Sequence, residues 1–155
     1  MTPQDAPWEV NWAYALPLIM FTVVIHVCGM GLITERANRL AGDGTLGWRP
    51  TFMFMLRLAI AALAATVLHG IEAATWAGAY LYLGALPSRR VAMLYSLNAI
   101  TSYGHAEIFL RPEWQLMGAL EALNGMMLFG LTTAFLFVII QRIWPFSAHH
   151  AGRPG

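Results

Sequence analysis

Residues 96–108, reading SLNAITSYGHAEI, gather in a short stretch the groups that hold a bare cation. They offer the hydroxyls of Thr101, Ser102 and Tyr103, the imidazole of His105, the carboxylate of Glu107, and a main chain loosened at Gly104. In a narrow pore, oxygens of this kind replace the water around an ion, main-chain carbonyls above all. The segment stands just ahead of a long apolar run beginning at Trp114. Irregular main chain survives at membrane depth only where protein buries it or where it lines a watery cavity. Residues 101–107, with Ala106 among them, are therefore expected to form a re-entrant loop on an ion pathway.

Charged residues inside apolar runs are the next candidates, because a carboxylate at the centre of a bilayer costs several kcal/mol unless it is paired or wet. His69 and Glu72 share a helix face at i, i+3, and Glu121 falls at a comparable depth in the next run. A His69–Glu72 or His69–Glu121 contact is expected to brace the loop from behind. The sharper alternative is a proton sensor or a zinc site made of that histidine and the two carboxylates. His26, alone in the first apolar run, reads as a hydrogen-bonded interior residue, and Cys28 as a small buried packing residue. Gly125 and Gly130 stand where a pore-lining helix would bend, while the Gly118, Ala122 spacing also suits close helix packing. His149 and His150 form a pair in the tail with little specificity for metal.

These residues need long apolar elements to carry them, and the composition supplies them. Of the 155 residues, 58% are hydrophobic and 11% charged, with a mean hydropathy of +0.57. Soluble domains carry about a quarter charged residues. The chain is expected to be an integral membrane protein of three spans. A first helix is expected over residues 12–33, behind the aromatic Trp8, Trp12 and Tyr14, and a polar loop over 34–50. A second helix should run over residues 52–86, closed by Pro87 and Ser88. A short helix capped by Ser88 should cover 89–100, and a third span 113–143, with Pro112 in its first turn. Asp5 and Glu9 precede the first apolar run and no basic segment does, so this run is expected to be retained rather than cleaved.

All nine basic residues are arginines. Arg36, Arg39, Arg49 and Arg57 surround the first loop and Arg142 and Arg153 follow the last span, against Arg89, Arg90 and Arg111 on the other side. Short cytoplasmic loops collect arginine, which predicts an outside N-terminus and a cytoplasmic C-terminus. The formal charge of +1 leaves no basic tract for nucleic acid.

SLNAITSYGHAEI resembles the pore-loop segment of potassium channels, usually read as SxxTxTTxGYGDI. Thr101 and Ser102 match the paired threonines, Gly104 the first glycine, and Glu107 the acidic residue. The flanks HGIEAATWAGAYLYLGALP and WQLMGALEALNGMMLFGLTTAFLF resemble those of a group of small bacterial channels in this superfamily, so that the likeness spans residues 68–144. It implies an all-α membrane fold in which a pore helix and filter lie between an outer and an inner helix, repeated in a homotetramer within the cell inner membrane. The implied organisation is an N-terminal helix and cytoplasmic loop over 1–50, a pore domain over 51–145 and a short tail over 146–155. The transported ion would be monovalent, such as potassium, with no other cofactor or metal.

Three departures fall inside the filter. His105 replaces the family's tyrosine, Ala106 its second glycine, and Ser102 the threonine whose hydroxyl helps hold the innermost ion. Alanine resists the left-handed backbone that glycine accepts by about 1 kcal/mol or more. A wider, weakly selective filter is expected, with rings of Glu107 and His105 at its mouth. Histidine gains charge as pH falls through about 6.5, which should weaken the current. Two other functions remain: a non-conducting channel-like structural or regulatory subunit, and a four-span protein binding haem through His26, His69 and His105. The haem scheme exposes Asn98, Gly104, His105 and Glu107 to lipid, at a cost. No nucleophile stands beside a base and no phosphate-binding glycine loop occurs, so no enzymatic activity is expected.

Overall fold

A computed structural model describes residues 8–42, 50–104 and 107–143. The described residues form four α-helices: α1 (Trp8–Gly42), α2 (Pro50–Tyr82), α3 (Arg89–Ile100) and α4 (Gln115–Ile143). A 3-10 turn over Pro112–Trp114 leads into α4. Three helices are long and apolar enough to cross a membrane, over Trp8–Arg36, Phe52–Tyr82 and Pro112–Gln141. Their outward faces carry Phe21, Val24, Leu63 and Val67, all exposed, which suits lipid rather than water.

The contacts fix how the helices run. Asn11 with Glu113, Thr22 with Asn124 and His26 with Thr132 lie 102, 102 and 106 residues apart. This near-constant spacing makes α1 and α4 parallel. On α2 the order reverses, with Tyr80 meeting Glu121 and His69 meeting Thr132 further along α4, so α2 runs antiparallel to both. At the shared end of α1 and α4, the Tyr14 and Trp114 rings meet edge to face at 5.7 Å.

Several boundaries differ from the sequence expectation, and α1 already begins at Trp8 rather than Trp12. α1 does not stop at Ile33 but continues to Gly42, because no breaker occurs before that glycine and Glu35 pairs with Arg39 one turn on. α2 ends at Tyr82 rather than near Leu86. Gly84 adopts φ +64, and its N–H and that of Ala85 return to the carbonyls of Leu81 (3.1 Å) and Tyr80 (2.8 Å). This left-handed cap closes the helix before Pro87 is reached. Cys28 is exposed rather than buried, because His26 and Met30 occupy the inward face of α1. α3 covers residues 89–100 as expected, with the Ser88 hydroxyl accepting from the Val91 N–H at 3.4 Å.

α3 lies between α2 and α4, beginning and ending in different surroundings. Ahead of its start Ala85 and Leu86, in the turn that follows α2, are buried. At its far end the Ile100 carbonyl presses on Gly125, where an added Cβ would lie 1.9 Å from the oxygen. Gly125 is ten residues into α4, about 15 Å along it. The chain then comes back, and the Arg111 N–H reaches the Ala85 carbonyl at 3.5 Å. The turn ahead of α3 and Arg111 thus lie together at one end of the bundle.

Candidate ion pathway and the polar interior behind it

The main chain at the tip of α3 is built by its own hydrogen bonds. Ser102 N–H reaches Ala99 O at 2.8 Å and Tyr103 N–H reaches Asn98 O at 3.0 Å, with Ser102 left-handed at φ +54. The Thr101 hydroxyl donates to Leu97 O at 2.7 Å. Gly104 is also at positive φ, +87, while Tyr103 between them is not. Handedness therefore alternates over 102–104. A serine held left-handed is strained by about 1 kcal/mol or more. Ser102→Gly is accordingly expected to stabilise the protein by up to about 1 kcal/mol, read as a higher melting temperature in detergent; a lower one contradicts this backbone assignment.

Thr101, Ser102, Tyr103, Gly104 and Glu107 are exposed, Tyr103 to 85%. His105 and Ala106 lie outside the described residues, and so does any contact between His105 and Glu107. Beside the tip opens a cleft of about 300 Å³ lined by Asn98, Ser102, Gly104, Gly118 and Ala122 among others.

Behind the loop stands a polar interior made by all four helices. Helices in lipid gain little from apolar association, so such contacts and close packing decide how they join. Glu121, fully buried, accepts from the Tyr80 hydroxyl at 2.6 Å through Oε2 and meets Ser96 Oγ through Oε1. Ser96 Oγ also donates to the Ala73 carbonyl at 2.6 Å. One hydroxyl hydrogen cannot serve two acceptors, so the count closes when the Glu121 carboxyl supplies the second. Glu121 thereby fastens α3 to α2 and α4. Of the two contacts expected for His69, the one with Glu72 forms, at 2.9 Å between Nδ1 and Oε2. The contact with Glu121 does not, since His69 meets α4 at Thr132, about three turns beyond Glu121. His26, as expected of it, is an interior hydrogen-bonding residue, with Nδ1 2.8 Å from Glu72 Oε1. Further toward the loop end, Asn124 donates to the Thr22 hydroxyl at 2.8 Å.

Gly125 is a packing position in this bundle, whatever else it does, and Gly118 likewise faces Tyr95, whose hydroxyl an added Cβ would meet at 2.1 Å. Gly130 is exposed, with nothing near it. Tyr80, Ser96, Asn124 and Thr132 escaped the sequence reading, because hydroxyl and amide residues are common in apolar helices and only the helix register shows which face inward. A porphyrin finds no space between the two helical histidines: their ring centroids are 5.2 Å apart and both Nε2 atoms turn to the Thr132 hydroxyl. His149 and His150 lie outside the described residues. No family model matches the chain, and neither a curated protein nor a solved structure matches it.

Proposed function

We propose that this chain is the pore subunit of a homotetrameric cation channel in the cell inner membrane, with a weakly selective filter over residues 101–107. The observation that carries the reading is the path of segment 88–111. Ile100 at the end of α3 lies against Gly125 and Arg111 is bonded to Ala85, the two contacts a re-entrant loop would require. At that depth exposed main chain must be covered by protein or face a watery space. One copy leaves 101–104 open on the cleft side, and sister subunits around an axis would supply both the cover and the pore. The alternating hand of Ser102, Tyr103 and Gly104 is the backbone habit that turns successive carbonyls toward one line. The parallel course of α1 and α4, together with the arginine distribution, favours an outside N-terminus and a cytoplasmic C-terminus.

Purified protein in liposomes is expected to pass both potassium and sodium, less strongly in acid as His105 takes up protons at the outer mouth. His105→Tyr combined with Ala106→Gly is expected to shift the permeability toward potassium. Tetramers seen by native mass spectrometry with no flux of either ion at any pH would replace conduction with a structural or regulatory role. A monomer would end the conduction reading.

A further inference from the structure

We infer that His26, His69 and Glu72 form a zinc-class metal site that clamps α1 to α2. The three side chains come from two helices and are buried, Glu72 and His26 completely and His69 to 9% exposure. One donor atom from each lies within 4.8 Å of the others. Each histidine turns the same ring nitrogen, Nδ1, to the same carboxylate, at 2.8 and 2.9 Å. Each turns Nε2 to the same hydroxyl, that of Thr132, at 3.2 and 3.0 Å.

Hydrogen counting shows what this arrangement lacks. The Thr132 hydroxyl also faces the Leu128 carbonyl, at 3.0 Å, so five close polar approaches meet in one cluster. Two neutral imidazoles and one hydroxyl bring three hydrogens between them, and an ionised Glu72 brings none. If Thr132 donates to Leu128, it accepts from both Nε2–H groups. Both Nδ1 lone pairs then point at a carboxylate, nitrogen and oxygen donors converging with nothing positive between them. His69 Nδ1 and Glu72 Oε2 bear this out directly: both are buried and neither has an aligned hydrogen-bond partner, though they lie 2.9 Å apart. Positive charge completes the count, either as further protons on the imidazoles or as one metal ion held by all three side chains.

The donor set selects its class. Two imidazole nitrogens and a carboxylate that can offer both oxygens suit a four-coordinate ion of borderline softness, with bonds of about 2.0–2.2 Å. Calcium and magnesium ask for six or more oxygens or a retained water shell, which this interior does not offer. With metal on both Nδ1 atoms, both Nε2 atoms carry hydrogen and donate to the Thr132 hydroxyl they already face, the outer-shell contact that fixes a metal-binding histidine in its tautomer. Metal entering the site displaces whatever protons the cluster holds, and the bound ion joins the N-terminal helix to the rest of the bundle.

The test reads metal content and does not depend on ion conduction. The full chain carrying His149→Ala and His150→Ala, so that the tail pair contributes nothing, is produced in minimal medium supplemented with zinc or, in parallel, with cobalt. It is then purified through a chelator wash. One zinc per chain is expected to remain, and the cobalt form is expected to show the intense visible bands of a tetrahedral ion. Glu72→Gln is expected to lower zinc affinity more than about 100-fold, since losing only an outer-shell partner costs 10- to 100-fold. Thr132→Val should cost at least about tenfold. A metal-free protein overturns the site, as does a cobalt spectrum of octahedral type or one unchanged by Glu72→Gln.

Discussion

Gly125→Ala is expected to destabilise the protein by about 3 kcal/mol, at the top of the range for overpacked interiors, and to abolish ion flux. The added methyl would stand 1.9 Å from the Ile100 carbonyl oxygen, 2.7 Å from its carbon and 2.8 Å from Cα. These are main-chain atoms at the end of α3, so no side-chain rotation clears the space. Either α4 moves away or α3 is pushed out, carrying the Ser102 to Gly104 tip with it. Gly130→Ala is the matched control. Its methyl meets nothing within 4 Å, and replacing a mid-helix glycine by alanine should gain about 0.5–1 kcal/mol. Thermal melting of the two variants in detergent separates packing from bending. Were Gly125→Ala as stable as the native chain, the seating of α3 on α4 described above would be wrong. A hinge shared by both glycines instead predicts that both variants keep their stability and change only the gating of the current.

The elements that could be read from the sequence are those announced by local chemistry. Ser88 followed by Arg89 and Arg90 marks the start of α3 through a side chain that caps its own helix, and the apolar runs mark α2 and α4 by length alone. Local chemistry also explains the misplaced ends. Pro87 looks like the stop signal for α2, but Gly84 comes first and its left-handed cap acts sooner. The polar residues after Ile33 look like a loop, yet polar residues at helical spacing simply extend α1 beyond the apolar stretch. The polar interior was legible only within one helix. His69 and Glu72 are three residues apart, so their meeting follows from helix geometry. His26 reaches Glu72 across 46 residues and Thr132 across 106. Such contacts depend on how far each helix slides along its neighbour, and that slide is set by small residues such as Gly29, which sits against Leu68. Glu121 shows the same limit: comparable apolar depth in the sequence suggested His69, but His69 meets α4 at Thr132, about three turns further on, and Glu121 joins Tyr80 of α2 and Ser96 of α3.

Glu121 carries the second large effect, because its two replacements should part sharply. Glu121→Ala removes the acceptor of the Tyr80 hydroxyl and the partner of Ser96 Oγ in a region closed to water. An orphaned buried polar group costs about 1–3 kcal/mol, and the vacated volume adds a cavity term, so a loss of about 3–5 kcal/mol is expected. Glu121→Gln keeps the shape and the pattern of donors. Its amide N–H can donate to Ser96 Oγ, which goes on donating to Ala73 O, and its carbonyl can accept from Tyr80. A neutral glutamic acid makes the same bonds in the same directions, so the glutamine variant should stay within about 1 kcal/mol of the native chain. An ionised glutamate would instead leave Ser96 with one hydrogen for two acceptors, and the amide would then alter the network as much as it preserves it. The comparison is made by melting both variants and by testing whether α3 resists proteolysis near Tyr103. Equal damage from glutamine and alanine would refute the neutral acid and the hydrogen count on which it rests. A mild glutamine effect beside a severe alanine effect would identify Glu121 as the bolt that holds α3 between α2 and α4, and hence holds residues 101–107 where a pore would require them.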